Sequence, residues 1–231
     1  MTRRALVTGV GGQDGSYLAE LLLERGDEVV GVVRRPPEEY PNLDGVRDRI
    51  EFVEADLLDR TSLAAALRAT GPHAVFNLAA PSFVPMSWKH PVRTAEFAAV
   101  GVTSLLEAIR EVDDGIRFYQ ASSSEIFGEP DAWPQTEQTR LTPLTPYGVA
   151  KAYGHFIVDS YRRRYGLHAS CGILYNHESP RRPLDFLPSK VAHGAAAIAL
   201  GLADELVLGD LEARRDWGYA PDYVCAPRPW R

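Results

Sequence analysis

"RALVTGVGGQDGSYLAELLLERG", Arg4 to Gly26, is the stretch whose reading decides the fold. Its opening, "RALVTG", is a short apolar run ending in glycine, which reads as a buried strand. From Ser16 to Arg25 the leucines at 18, 21 and 22 recur at helical spacing, and Gly26 supplies a stop. Between strand and helix stand Gly9, Gly12 and Gly15, a GxxGxxG arrangement. Glycine permits the tight turn and lets backbone N–H groups approach a pyrophosphate at the helix N-terminus, where the dipole favours an anion. A glycine triplet alone is equally a plain turn. Its place at the first strand–helix junction is the context a dinucleotide site requires.

Working outward, the alternation continues. "DEVVGVVRR" reads as a second strand, after which Pro36, Pro37 and Pro41 break regular structure. "IEFVEADLLD" gives a third strand and loop, "SLAAALRAT" a short helix stopped by Gly71 and Pro72, and "HAVFNLAA" a fourth strand. "TAEFAAVGVTSLLEAIREV" reads as one long helix and "IRFYQASS" as a fifth strand. "YGVAKAYGHFIVDSYRRRYG" is a further helix, "LHASCGILYNH" a sixth strand, and a last helix is expected near Lys190 to Leu200. Strands alternating with helices predict an α/β fold, a Rossmann-like doubly wound parallel sheet with helices on both faces. The character changes near Asn176, where "SPRRPLDFLPS" turns proline-rich. The expected division is a dinucleotide-binding domain over 1–175 and part of a smaller substrate-binding region over 176–231.

Bulk properties bound the function. The chain has 231 residues, a net charge of −6 and a charged fraction of 24%, which suits a packed globular protein. Its acidic balance gives no support to nucleic-acid binding, which calls for a basic field. The two cysteines, Cys171 and Cys225, are far apart and form no CxxC or Cys/His spacing, so neither a disulfide framework nor a metal site is expected. Thr8 and Gly9 interrupt the first apolar run too early for a signal segment or a membrane span. A cytoplasmic setting is the corresponding expectation.

Three positions carry chemistry on their own residue types. At the end of strand two, where an NAD site usually has Asp or Glu, stand Arg34 and Arg35. Guanidinium groups pair with a 2′-phosphate, which favours NADP, although two arginines could simply cap a solvated strand end. Asp56 and Leu57 end strand three and could line an adenine pocket, or Asp56 could start the next helix. Tyr147 and Lys151, spaced i, i+4, share a helix face. An ammonium near a tyrosine hydroxyl stabilises the phenolate and lowers its pKa, making Tyr147 a usable base. An ordinary surface pair is the competing reading of YxxxK taken alone.

With "TGVGGQDG", "NLAA" (Asn77 to Ala80), the serine-bearing strand end and "YGVAK" in this order, the chain resembles the extended short-chain dehydrogenase/reductase family. Within it, "GGQDGSYLAE", "RFYQASSSEIFG", "YNHESPRR" and "RRDWG" make it most similar to the GDP-mannose 4,6-dehydratases. The resemblance implies an NADP-dependent conversion of GDP-mannose to GDP-4-keto-6-deoxymannose. The steps are oxidation at C4, loss of water across C5–C6, and hydride return to C6. It puts the catalytic roles on Ser123, Glu125, Tyr147 and Lys151. It also puts cofactor contacts on Gly9, Gly12, Gln13, Asp14, Gly15, Arg34, Arg35, Asp56 and Leu57, and on Leu78, Ala79, Ala80, Lys151, His177 and Arg182. Ser82, Asn176 and Arg215 are implied substrate contacts, although each of these outer residues, His177 above all, could serve structure instead. A homo-oligomer, dimer or tetramer, is implied as well.

Glu125 has its own chemical reason. A plain dehydrogenase needs only Ser, Tyr and Lys, whereas elimination needs a second acid/base. Side chains two apart on an extended chain point the same way, so Glu125 would join Ser123. The chain also departs from the family. Ser123 stands where threonine is usual, "PPEEYPNLDG" is shorter than the family's loop, "RRPLDFLPSKVA" differs, and "CAPRPWR" matches no part of the usual continuation. The sequence reading is therefore a C-terminally truncated member. Its alternatives are an epimerase or reductase of the same family, and a non-catalytic NADP-binding protein.

Overall fold

A computed structural model describes residues 3–225. In chain order the regular elements are β1 (Arg4–Thr8), α1 (Gln13–Glu24), β2 (Glu28–Val33), β3 (Ile50–Glu54), α2 (Arg60–Thr70) and β4 (Ala74–Asn77). Then come α3 (Val84–Lys89), α4 (Pro91–Ala95), α5 (Gly101–Val112), β5 (Arg117–Ala121), α6 (Pro146–Tyr165) and β6 (Ala169–Gly172). The C-terminal part holds β7 (Asn176–Glu178), α7 (Leu187–Ala199), β8 (Trp217–Tyr219) and α8 (Ala220–Val224). β1 to β6 form one sheet in the order β3-β2-β1-β4-β5-β6, with every pair parallel. This is the Rossmann-like, doubly wound sheet that the alternation predicted.

Strand periodicity divides the core between two faces. Ala5, Val7, Ala74, Phe76, Tyr119 and Ala121 face α1 and α8, where they meet Leu18, Leu22 and Val224. Their neighbours Leu6, Val75 and Phe118 point the other way, onto Leu63, Leu67, Leu105, Leu106, Ile109 and Val158 of α2, α5 and α6. Burial on both faces is why these strands read as continuous apolar runs rather than as alternating ones.

Local chemistry sets the ends. Asp59 caps α2 by accepting from Thr61 N at 2.9 Å and Ser62 N at 3.3 Å. Thr145 caps α6 from Gly148 N at 2.9 Å, with Pro146 in the first turn. Between β2 and β3 the prolines give 3₁₀ turns, Pro37–Glu39 and Pro41–Leu43, in place of a crossover helix.

Two elements differ from the sequence expectation. The long helix expected over 94–112 is interrupted by a π turn, Glu96–Val100, before α5 begins. The expected sixth strand is divided. β6 ends at Gly172, and Asn176–Glu178 leaves the large sheet to pair in parallel with β8. α7 is rich in alanine yet contributes no buried residue. No helix among the described residues is long and apolar enough to cross a membrane.

Replacing Asp59 with Ala removes both capping hydrogen bonds and is expected to lower stability by about 1 kcal/mol in urea unfolding, with the cleft side of the sheet unaffected.

Candidate functional site

The strand order reverses between β1 and β4, and parallel sheets of this kind hold ligands in the crevice at the carboxyl ends of those strands. A cleft of about 1210 Å³ opens there. Its floor is a ladder of buried polar side chains. Thr8 Oγ1 donates to Asn77 Oδ1 at 2.6 Å, Asn77 Nδ2 to Gln120 Oε1 at 2.7 Å, and Gln120 Nε2 to the Ala121 carbonyl at 2.9 Å. The register demands this contact, since Thr8 pairs with Asn77 and Asn77 with Gln120 across the strands. The same Ala121 carbonyl accepts from Lys151 Nζ at 2.8 Å.

The glycine loop forms one wall. Gly9 adopts φ +70° and its carbonyl accepts from Gly12 N at 3.0 Å. A Cβ on Gly15 would stand 2.2 Å from that same carbonyl, so the first turn of α1 admits no side chain at this position. α1 begins without a side-chain cap, and its first-turn N–H groups border the cleft. At the far end of β2, Arg34 lies over the Phe97 ring at 5.0 Å, and Arg35 pairs with Glu39 at 3.2 Å while lying over Tyr40. Arg93 meets Phe97 at 5.7 Å, which brings a third guanidinium into the cleft. Sequence reasoning missed Arg93, because nothing on the short helix α4 announces it.

The residues expected to do chemistry meet in the same cleft: Ser123, Glu125, Tyr147 and Lys151 all line it. The route to Glu125 differs from the expected one. The chain is not extended there but turns through a 3₁₀ segment, Ser124–Ile126, capped by Ser123 Oγ, which accepts from Glu125 N at 3.2 Å. That turn packs on the start of α6 at Gly148, where a Cβ would lie 2.6 Å from the Glu125 carbonyl.

Tyr147 and Lys151 are buried, 6% and 5% exposed. Burial pushes the Tyr147 hydroxyl up to about 12, against a hydrogen bond to Ser123 that pulls it down. The Lys151 ammonium lies 5.6 Å from the Tyr147 ring centroid, and burial lowers its pKa from 10.5 to about 8. The tyrosine pKa that the sequence placed near neutrality is thus held high, because loss of hydration outweighs the local attraction.

Beyond β6 the chain returns to the glycine-loop helix. His177 Nε2 meets Asp14 Oδ2 at 2.8 Å and its Nδ1 meets the Tyr175 carbonyl at 2.6 Å. Both partners offer oxygen acceptors, an arrangement that favours the protonated ring. Burial opposes that charge, but the Asp14 bond and charge outweigh it and hold the histidine pKa up and the aspartate pKa down. His177 is thus a satisfied histidine that also borders the cleft.

Arg182 lies 3.6 Å over the Phe186 ring and pairs with Glu178 at 3.2 Å. Gln13, Leu57, Leu78, Ala79, Ala80, Ser82, Asn176 and Arg215 also line the cleft. Asp56 does not. Its carboxylate accepts from Leu58 N at 2.9 Å, and the helix that follows is capped by Asp59.

The comparisons with known proteins agree with this geometry. Residues 6–229 match the sequence profile of the family described as GDP-mannose 4,6 dehydratase. A GDP-mannose 4,6-dehydratase from Sinorhizobium fredii is 45% identical over 95% of this chain and 66% of its own length. That from Homo sapiens is 42% identical over 95% of this chain and 62% of its own length. The chain thus spans just under two thirds of the length of these relatives. Among solved structures, a UDP-glucose 4-epimerase from Thermotoga maritima superposes with a TM-score of 0.85 at 28% identity, covering 96% of this chain and 71% of that one. A dTDP-glucose 4,6-dehydratase from Streptomyces venezuelae, solved with NAD bound, gives 0.83 at 27%, covering 96% and 70%. With a family-wide profile match and relatives above 40% identity over nearly all its residues, the chain belongs to the GDP-mannose 4,6-dehydratase family.

Proposed function

We propose that the protein is an NADP-dependent nucleotide-sugar 4,6-dehydratase acting on GDP-mannose. The observation that carries the reading is Glu125, a carboxylate on the turn capped by Ser123, sharing one cleft with Tyr147 and Lys151. Fold likeness alone does not separate this chemistry from epimerisation, because the epimerase and the dehydratase named above superpose almost equally well. The extra acid/base does separate them, since only elimination requires it.

The residues present fit a dinucleotide. A glycine loop leads into uncapped helical N–H groups for the pyrophosphate, and Arg34, Arg35 and Arg93 offer guanidinium groups where a 2′-phosphate would lie. A bound nicotinamide would supply the hydride acceptor for C4 and the hydride donor for C6. The chain's own residues do the rest. The Ser123 hydroxyl holds the sugar O4. The Tyr147 oxygen takes the C4 hydroxyl proton, and the Lys151 ammonium favours the phenolate that this requires. Once C4 is a ketone, C5–H is acidic; Glu125 removes that proton and passes it to the departing C6 hydroxyl, which leaves as water, and when C6 is reduced C5 takes the proton that Tyr147 had drawn from O4. Asn176, Ser82 and Arg215 face the nucleotide-sugar, with Arg215 suited to a diphosphate.

Incubation with GDP-mannose and NADP⁺ is expected to yield a 4-keto-6-deoxy sugar nucleotide without net NADPH change. Net NADPH oxidation or a C4 epimer would reject dehydration. Stabilisation by NADP in a thermal shift, with none by GDP-mannose or GDP, would favour the non-catalytic reading. Glu125→Gln is expected to keep NADP affinity and lower dehydration by roughly 10²–10⁴-fold; unchanged turnover would remove Glu125 from the mechanism.

The buried lysine gives a second expectation. Its folded pKa of about 8 lies below its ordinary 10.5, so between these values the unfolded chain binds more protons and stability rises with pH. Relative to Lys151→Met, the wild type should gain stability in urea unfolding from pH 8 to 10, before tyrosine ionisation intervenes. A flat difference would show that the ammonium is not desolvated.

A further inference from the structure

The segment after β6 has two faces. Of its residues, Asn176, Glu178 and Arg182 line the cleft. His177, which also borders the cleft, grips α1 together with Ser179 and Arg181. Gln13 Nε2 donates to the His177 carbonyl at 3.1 Å, Ser179 Oγ donates to Gln13 Oε1 at 2.8 Å, and His177 pairs with Asp14. Arg181 ends the series. Its guanidinium donates to Ser16 Oγ at 3.0 Å and to Glu20 Oε1 at 2.6 Å, and it lies 4.0 Å over the Tyr17 ring. Its backbone N–H is held by Ser179 Oγ at 3.1 Å. β7 gives the segment its extended start at Asn176–Glu178, and a turn follows in which Arg182 N donates to the Ser179 carbonyl at 3.0 Å. The grip climbs α1 over two turns, from Gln13 to Glu20.

Ser16, Tyr17, Glu20 and Arg181 do not border the cleft. Their charge-assisted bonds therefore cannot recognise a ligand directly, and they are more than a surface ion pair, because both charged side chains are about three-quarters buried.

We propose that Arg181 is a positioning residue. Locked onto Ser16, Tyr17 and Glu20, it fixes the turn that carries Arg182 and so sets the cleft-facing guanidinium against the dinucleotide held by the same helix. The importance of Arg182 rests on the functional reading given above; the Arg181 clasp itself rests on geometry. α1 then serves both halves of the cleft, its N-terminus meeting the pyrophosphate and its outer face holding the segment opposite.

The test uses Glu20→Ala, Arg181→Met, the double variant and Arg181→Lys, with two readouts. NADP titration is expected to show affinity about tenfold weaker in either single variant, no further loss in the double variant, and partial recovery with lysine, which can reach Glu20 but cannot span both acceptors. Hydrogen exchange without nucleotide is expected to speed up about tenfold at the amides of 178–182 in Glu20→Ala, with β1 and β4 unchanged. A lower melting temperature with unaltered exchange at 178–182 and unaltered NADP affinity would overturn the proposal and leave Arg181 an ordinary surface clamp. Absence of NADP binding by the wild type would sink the cofactor reading instead, and the exchange result would still decide the clasp.

Discussion

The cleft depends on one buried hydrogen-bond ladder, Thr8 to Asn77 to Gln120 to the Ala121 carbonyl, joined from the other side by Lys151. Each rung is a cross-strand neighbour, so the ladder exists only in the observed register. A slip by one residue would turn all three polar side chains to the opposite face. Buried amides without partners cost about 1–3 kcal/mol each, which makes the correct register strongly preferred. The ladder therefore aligns the strand that ends in the glycine loop with the strand that ends in Ser122 and Ser123. It also fixes the height at which α6 presents its lysine. The glycine loop and the side chains of Ser123 and Lys151 are thus held to one frame.

The second constraint comes from α1, which packs against the sheet with Leu18, Ala19 and Leu22 and turns its polar face outward to the returning chain. α8 covers the neighbouring surface, and Tyr223 stacks on the His177 ring at 4.4 Å. The His177 ring is thus enclosed by Asp14, the Tyr175 carbonyl and an aromatic face, all of which favour its charged form.

How much of this was legible depended on whether the signal was local. The glycine loop at a strand–helix junction and the continuous apolar strands announced the doubly wound sheet, because steric demands on Gly15 and burial on both faces act on consecutive residues. Tyr147 and Lys151 were legible for the same reason, being one helical turn apart. Arg93 was not, since what gives it meaning is Arg34, which reaches the Phe97 ring from the end of β2 only in the folded chain. The ladder was invisible for a related reason: its members are scattered over 113 positions, from Thr8 to Ala121, and each is unremarkable alone. Glu125 reached its expected place by an unexpected path, a capped 3₁₀ turn in place of strand alternation. Period-two reasoning failed there because Ser123 supplies an N-cap, which ends the extended run just where the strand should have continued.

The position of Lys151 carries the chemical logic furthest. A drop from 10.5 to about 8 corresponds to about 3 kcal/mol of lost hydration, which one carbonyl contact does not restore. Among the described residues no carboxylate is bonded to it, so the cost is left standing in the resting protein. Tyr147 carries the opposite cost, its phenolate disfavoured by the same burial. Opposite unit charges about 4 Å apart at an effective dielectric near 20 attract by about 4 kcal/mol, the same order as either cost. Ionising the tyrosine beside the ammonium would therefore relieve one burial cost with the other. A carboxylate beside the lysine would remove that coupling by neutralising the cation in advance. Under the proposed reaction, a carbonyl is the better resting partner, because it holds Nζ in place while leaving its charge for the phenolate that the sugar proton transfer demands.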